Sequence, residues 1–168
     1  DPRAESFVES FAGQWLHLRT LRNHEPDYAV FPSYDPELGE AMVRETELLF
    51  EHLLSGEGSF LELLDADYSF VDGRLASHYG LSDAAAEDFI RVALADGERR
   101  GLLGQGSFLT VTSYPTRTSP VRRGKFVLEQ LLCSPPSPPP PGVEGLEQDT
   151  SGASGSLREQ LEAHRADP

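Results

Sequence analysis

The segment RTSPVRRGKFVLEQLLC, Arg117 to Cys133, sets Arg117, Arg122, Arg123 and Lys125 at the head of an apolar stripe. Guanidinium groups pair with carboxylates bidentately, and a helix beginning at Ser119 and Pro120 would add N–H groups of partial positive charge at the same end. These four side chains are therefore candidates for an anion-binding corner. The anion could be a carboxylate from the chain's own acidic helices or a group brought by a partner. Arg122 and Arg123, being consecutive on a helix, should point about 100° apart, so that one faces the body and the other stays available.

A second candidate is Glu45. It falls in the middle of an apolar helical stripe, where an acid must be either paired or neutral. Arg74 is its expected partner, giving a buried ion pair that fixes helix orientation; the other reading is a proton-handling acid. Beyond these, no catalytic constellation assembles. No G-x-S-x-G elbow presents a serine, and GLLGQG, Gly101 to Gly106, is neither a Rossmann fingerprint nor a P-loop. Cys133 is the one cysteine, which leaves no internal disulfide, no multi-thiolate metal site and no C-x-x-C-H haem attachment within the chain. At a helix end beside prolines its thiol reads as semi-buried, or as half of a bridge to another part of a longer protein. No metal site is expected.

The elements that would position these groups are mostly helical. ESFVESFAGQWLHLRTL places Phe7, Val8, Phe11, Trp15 and Leu18 on one face and predicts a helix over 5–21. The strongest helix is 36–54, with Asp35 as N-cap, Pro36 in the first turn and Gly56 beyond its end. Ala41, Met42, Leu48, Leu49 and Leu53 share its apolar arc with Glu45 and His52, and Glu40, Arg44, Glu47 and Glu51 form the wet stripe. A short helix follows in SFLELLDAD. Another spans 72–79 between Asp72 and Gly80, with Leu75, His78 and Tyr79 on one side. The stretch RRGLLGQGSFLTVTS reads as helix in spite of its β-branched end. A helix over 120–133 should bury Val121, Gly124, Leu128, Leu131 and Leu132, and Gly124 there suggests the close approach of another backbone.

The expected fold is thus mainly α, a small irregular helical bundle with a polyproline and linker segment and a C-terminal helix. Strand is confined to short pieces. The expected divisions are a helical subdomain over 1–82, a second helical segment with the basic patch and proline run over 83–141, a flexible linker over 142–155 and a short amphipathic helix over 156–168.

Composition narrows the partners. The chain has 168 residues and a net charge of −14, from 28 Asp+Glu against 14 Lys+Arg, which disfavours nucleic acid and anionic lipid. Its charges are segregated: residues 35–98 are strongly acidic, whereas 99–125 contain Arg99, Arg100, Arg117, Arg122, Arg123 and Lys125 and no acid. No run has the length of a membrane span, and DPRAESF has neither a basic nor an apolar leader region.

Taken in order, FAGQWLHLRTL, RETELLF (Arg44 to Phe50), SFVDGRLASHYGL (Ser69 to Leu81), RGLLGQGSFLTVTS (Arg100 to Ser113), the basic segment with its prolines, and LREQLEAHRADP resemble the non-haem helical regions of planctomycete- and myxobacterial-type c cytochrome proteins. Those regions are the domain-of-unknown-function families 1592 and 1588. Gly73 departs from that pattern, which usually has a larger polar residue there. The resemblance implies a non-haem portion of an exported, periplasmic redox protein, cut just before a C-x-x-C-H motif. It implies haem c in the longer protein, none in this chain, and a haem-containing domain as partner. His78 and His164, each on an apolar helical face, then read either as hydrogen-bonded core histidines or as haem-facing ligands. The implied role is an accessory domain supporting electron transfer; the alternative is an extracytoplasmic enzyme domain acting on a carbohydrate or other polymer.

Overall fold

The computed structural model describes residues 2–56, 58–81, 87–94 and 99–138, together with Glu159 and Glu162. In chain order the elements are α1 (Pro2–Trp15), α2 (Leu18–Leu21), α3 (Pro36–Leu54), α4 (Glu62–Asp65), β1 (Tyr68–Val71), α5 (Gly73–Tyr79), β2 (Ile90–Ala93), α6 (Gly101–Gly104), α7 (Gly106–Val111) and α8 (Pro120–Phe126). A π-helical turn, Val127–Leu131, continues α8. The fold is mainly α. Its strands β1 and β2 form an antiparallel pair with Tyr68 opposite Ala93 and Val71 opposite Ile90.

The centre of the molecule is α3. The Asp35 carboxylate accepts from the Leu38 N–H at 2.8 Å and Pro36 fills the first turn, so the helix starts where its cap chemistry requires. It is buried nearly all round, because α1, α2, α5, α7 and β1 surround it. Leu38, Met42, Val43, Leu49, Phe50 and Leu53 all lie at 3% exposure or less. Glu47, expected on the wet stripe, is buried as well, with Arg44 at 3.4 Å and Arg22 at 3.9 Å. The 72–79 helix forms as the sequence indicates: Asp72 accepts from Leu75 N at 2.8 Å, and Gly80 closes it at φ 73°.

Two helices differ from expectation. The helix anticipated over 5–21 breaks after Trp15, with His17 in the left-handed region at φ 58° before α2 begins. Leu16, Leu18 and Leu21 explain the break. All three are buried, and a continuous helix would turn Leu16 and Leu18 about 200° apart. As a result the inward face of α1 carries Val8 and Ala12, while Phe7 and Phe11 stand outside, their rings stacked 5.4 Å apart.

The second difference is at 120–133. Val121 is 63% exposed and Leu132 62%, Leu128 is also exposed, and a Cβ on Gly124 would meet nothing within 4 Å. Instead Phe126 and Leu131 pack on the core. These two are five residues apart, a spacing that the π-helical turn serves: Leu132 N–H donates to Val127 O at 3.0 Å, an i to i+5 bond that shifts the inward face. The expected approach of another backbone at Gly124 is absent among the described residues, and the Cys133 thiol is exposed, not semi-buried.

Residues 1–136 form one compact unit. The linker over 142–155 and, apart from Glu159 and Glu162, the helix over 156–168 lie outside the described residues, and His164 with them. No helix among the described residues is long and apolar enough to cross a membrane.

Candidate functional site: a buried polar knot and a basic turn beside a groove

Glu45 is 1% exposed, as its phase on α3 implies, but Arg74 is not its partner. Arg74 pairs at the surface with Asp35, the cap of α3, and with Glu37 at 3.0 Å. Its position in the first turn of α5 directs it to the start of α3, whereas Glu45 lies more than two turns further along. The acid is held by neutral hydroxyls: Ser69 Oγ donates to Oε1 at 2.5 Å and Tyr79 Oη to Oε2 at 2.7 Å. Burial pushes the Glu45 carboxyl up to about 7, against these two hydrogen bonds and the more distant Arg99 charge. Burial, and then the neighbouring Glu45, also hold the Tyr79 hydroxyl far above the usual phenol range, so it remains a donor.

The knot extends into the GLLGQGS segment. Tyr79 Oη accepts from the Gly106 N–H at 2.8 Å, Thr46 Oγ1 donates to Gln105 Oε1 at 2.7 Å, and Thr46 and Ser107 hydroxyls lie 2.6 Å apart. Every buried polar side-chain atom among the described residues is hydrogen-bonded, so the knot is stabilising where a half-satisfied one would be costly. The glycines are explained by contact. A Cβ on Gly106 would come within 2.8 Å of Tyr79 Oη and 2.9 Å of Met42 Cγ, and Gly101 has φ 52° with the Leu64 carbonyl carbon 2.5 Å from where its Cβ would lie. The segment is thus a close-packing device and no phosphate cradle.

The basic segment folds into a turn followed by α8. Ser119 Oγ accepts from Arg122 N at 3.3 Å, and Tyr114 and Arg117 pair across the turn. Tyr114 lies between two guanidiniums, with Arg117 4.9 Å and Arg122 4.7 Å from its ring centroid. Arg123 faces the body, its Nε donating to the buried Thr112 Oγ1 at 3.2 Å and its Nη2 to Thr118 Oγ1 at 3.2 Å. Arg122 is exposed and uses Nη1 to bond Ser113 O at 2.8 Å. Lys125 pairs with Glu129 at 3.6 Å. Arg117, Arg122 and Arg123 have no ion pair among the described residues.

Beside this turn an open groove of about 490 Å³ runs between α2 with its following loop on one side and the end of α7 with Arg122 on the other. It brings in His17 and His24, neither of which periodicity singles out. His24 sits in a loop of NHEP with no repeating pattern, and only the unforeseen break of α1 turns His17 toward α8, where its ring meets Phe126 edge-on at 5.5 Å. His78, placed by its spacing on an apolar face, is exposed at the end of α5 with its ring 5.8 Å from Tyr79; partial desolvation and then Arg99 lower its pKa. No cluster of three or more metal-binding side chains occurs among the described residues.

Two family models match the chain. Residues 1–81 match DUF1592 (PSD4) and residues 99–168 match DUF1588 (PSCyt3), each described as a protein of unknown function. No curated protein and no solved structure matches it. The polar knot joins these two stretches: Glu45, Thr46, Ser69 and Tyr79 belong to the first, and Gln105, Gly106 and Ser107 to the second. Within residues 1–136, the described parts of the two matched stretches therefore share one core.

Proposed function

We propose that this chain is a non-haem helical domain of an exported c-type cytochrome protein, and that it docks the haem-containing part through α8 and the π-helical turn. The observation that carries the reading is the uncovered apolar stripe of Val121, Leu128 and Leu132 next to Arg117, which has no ion pair among the described residues, and Lys125, which is held only by Glu129 one turn along at 3.6 Å. An apolar row with a charged margin is the composition of a protein-binding face. The choice of a haem-containing partner rests on the names of the two matching families, which hint at cytochrome-associated planctomycete domains. A periplasmic location and support of electron transfer belong to the same proposal.

Haem c would be held by the partner. This chain has one cysteine, so it offers no paired thiols for thioether attachment, and exposed His78 stands in the field of Arg99. Its own residues would position and orient the haem part, with Arg117 and Lys125 meeting acidic groups. Glu45 is sealed from solvent and meets no substrate, which weighs against the polymer-active alternative.

The test is calorimetric titration of this chain with the haem-containing segment encoded beside it. Leu128→Ser with Leu132→Ser should weaken binding about tenfold or more, as loss of apolar anchors does, with the melting temperature nearly unchanged. Arg117→Glu with Lys125→Glu should weaken it in a salt-dependent manner. Absence of a C-x-x-C-H segment from the full gene, or binding indifferent to both pairs, overturns the proposal.

A further inference from the structure

The groove between α2 and α8 is lined by three side chains with N–H groups, Arg122, His17 and His24. Arg122 is anchored by its bond from Nη1 to Ser113 O and by the Tyr114 ring 4.7 Å from its guanidinium carbon; its Nε and Nη2 make no hydrogen bond among the described residues and can meet a bidentate acceptor. His17 is held in a left-handed conformation, uncommon for a residue with a Cβ, because its carbonyl accepts from both Thr20 N at 3.0 Å and Thr20 Oγ1 at 2.7 Å. His24 is placed by its backbone N–H, which donates to Leu21 O at 3.0 Å, and its ring is set edge-on to Tyr34 at 5.8 Å. Leu21, Val111 and Pro115 provide apolar wall, and Glu25 lies at the rim. A concave space of this size, with apolar wall and a few convergent polar groups, is the common form of a small-molecule site.

The charges select the ligand. Around His24 stand Arg122, Glu25, His17 and Tyr34. Burial and then the Arg122 charge lower the His24 pKa, so at neutral pH its imidazole donates without adding charge. One guanidinium beside the neutral His24 imidazole balances one negative charge, and Glu25 opposes a second. We propose that this groove binds an amphipathic monocarboxylate, its head on Arg122, His17 and His24 and its apolar body along Leu21, Val111 and Pro115. The site is independent of the docking face, which uses Arg117, Lys125 and the Leu128 stripe.

The experiment titrates this chain with 3-phenylpropionate, its neutral amide and inorganic phosphate, followed by calorimetry and by the imidazole C–H signals in NMR. The carboxylate should bind, move the His17 and His24 signals and raise the His24 titration midpoint, because a bound anion offsets Arg122. The amide and phosphate should bind about tenfold or more weakly, and Arg122→Gln should lose a similar factor for the carboxylate. Since Arg122 also braces the turn, His24→Gln is the second variant, expected to weaken carboxylate binding several-fold and leave the fold intact. No carboxylate binding at millimolar concentration, equal binding of the amide, tighter binding of phosphate, unmoved histidine signals, or unchanged affinity in both variants overturns the site.

Discussion

The helices α3 and α8 begin alike and end up in opposite surroundings. Each has a cap side chain bonded to a backbone N–H three residues on, Asp35 to Leu38 and Ser119 to Arg122, and each has proline in its first turn. Yet α3 is covered on almost every side, whereas no residue of α8 or the π-helical turn is buried. Start signals are local, satisfying orphan N–H groups whatever lies beyond. What separates the two helices is the polar knot. Glu45 and Thr46 commit α3 to Ser69, Tyr79, Gln105 and Ser107, and α8 makes no comparable commitment on its Val121 face.

Breaking the covered region should have the largest effect. Gly101→Ala puts a Cβ against the Leu64 backbone at a left-handed position, and should destabilise by about 3 kcal/mol or more, measured by urea unfolding.

The knot should also impose a pH dependence. The Glu45 carboxyl titrates at about 7 in the folded chain against an ordinary 4.5, so between those values the native state keeps a proton that the unfolded chain releases. Its stabilising contribution is complete below pH 4.5 and is lost as pH rises through 7, a difference of about 3 kcal/mol. Glu45→Gln keeps acceptors and donors for Ser69 and Tyr79, and with Arg74 engaged elsewhere it strands no cation. The variant should flatten that slope and exceed the parent in stability at pH 8; parallel curves for the two between pH 5 and 8 would place the titration elsewhere.

The smallest effect should come from the uncovered helix and carry the opposite sign. Gly124→Ala meets no neighbour, so it should stabilise by about 0.5–1 kcal/mol through helix propensity alone. A loss in the same denaturation assay would mean that the face is already occupied.

The sequence discloses what is decided within a few residues. The caps of α3 and α5, the stop at Gly80 and the burial of Glu45 follow from local chemistry and helical phase. Partners distant along the chain do not: Arg74 and Glu45 agree in charge and burial logic, but the approach of α5 to α3 puts Arg74 on Asp35. Phase also fails where a helix changes its period. The Val121, Gly124, Leu128, Leu131 and Leu132 stripe assumes one α-helical period, but α8 turns Val121 and Gly124 outward and the π-helical turn then brings Leu131 to the core and leaves Leu128 and Leu132 exposed, and the break at His17, forced by three buried leucines, has no glycine or proline to announce it. The groove depends on the break at His17 and on the aperiodic loop that carries His24, which is why its histidines escape a periodic reading.

The bond from Trp15 Nε1 to Gln130 O, 2.8 Å long, spans 115 residues and fastens the end of α1 to the π-helical turn. Carbonyls in a last helical turn have no acceptor role within the helix, so the indole satisfies a group that would otherwise need water. Trp15 is also the chain's one tryptophan, which makes it a fluorophore placed at the seam between the central core and the uncovered helix. A red shift of its emission preceding the loss of helical circular dichroism would register the uncovered helix peeling away while α3 and its knot still hold.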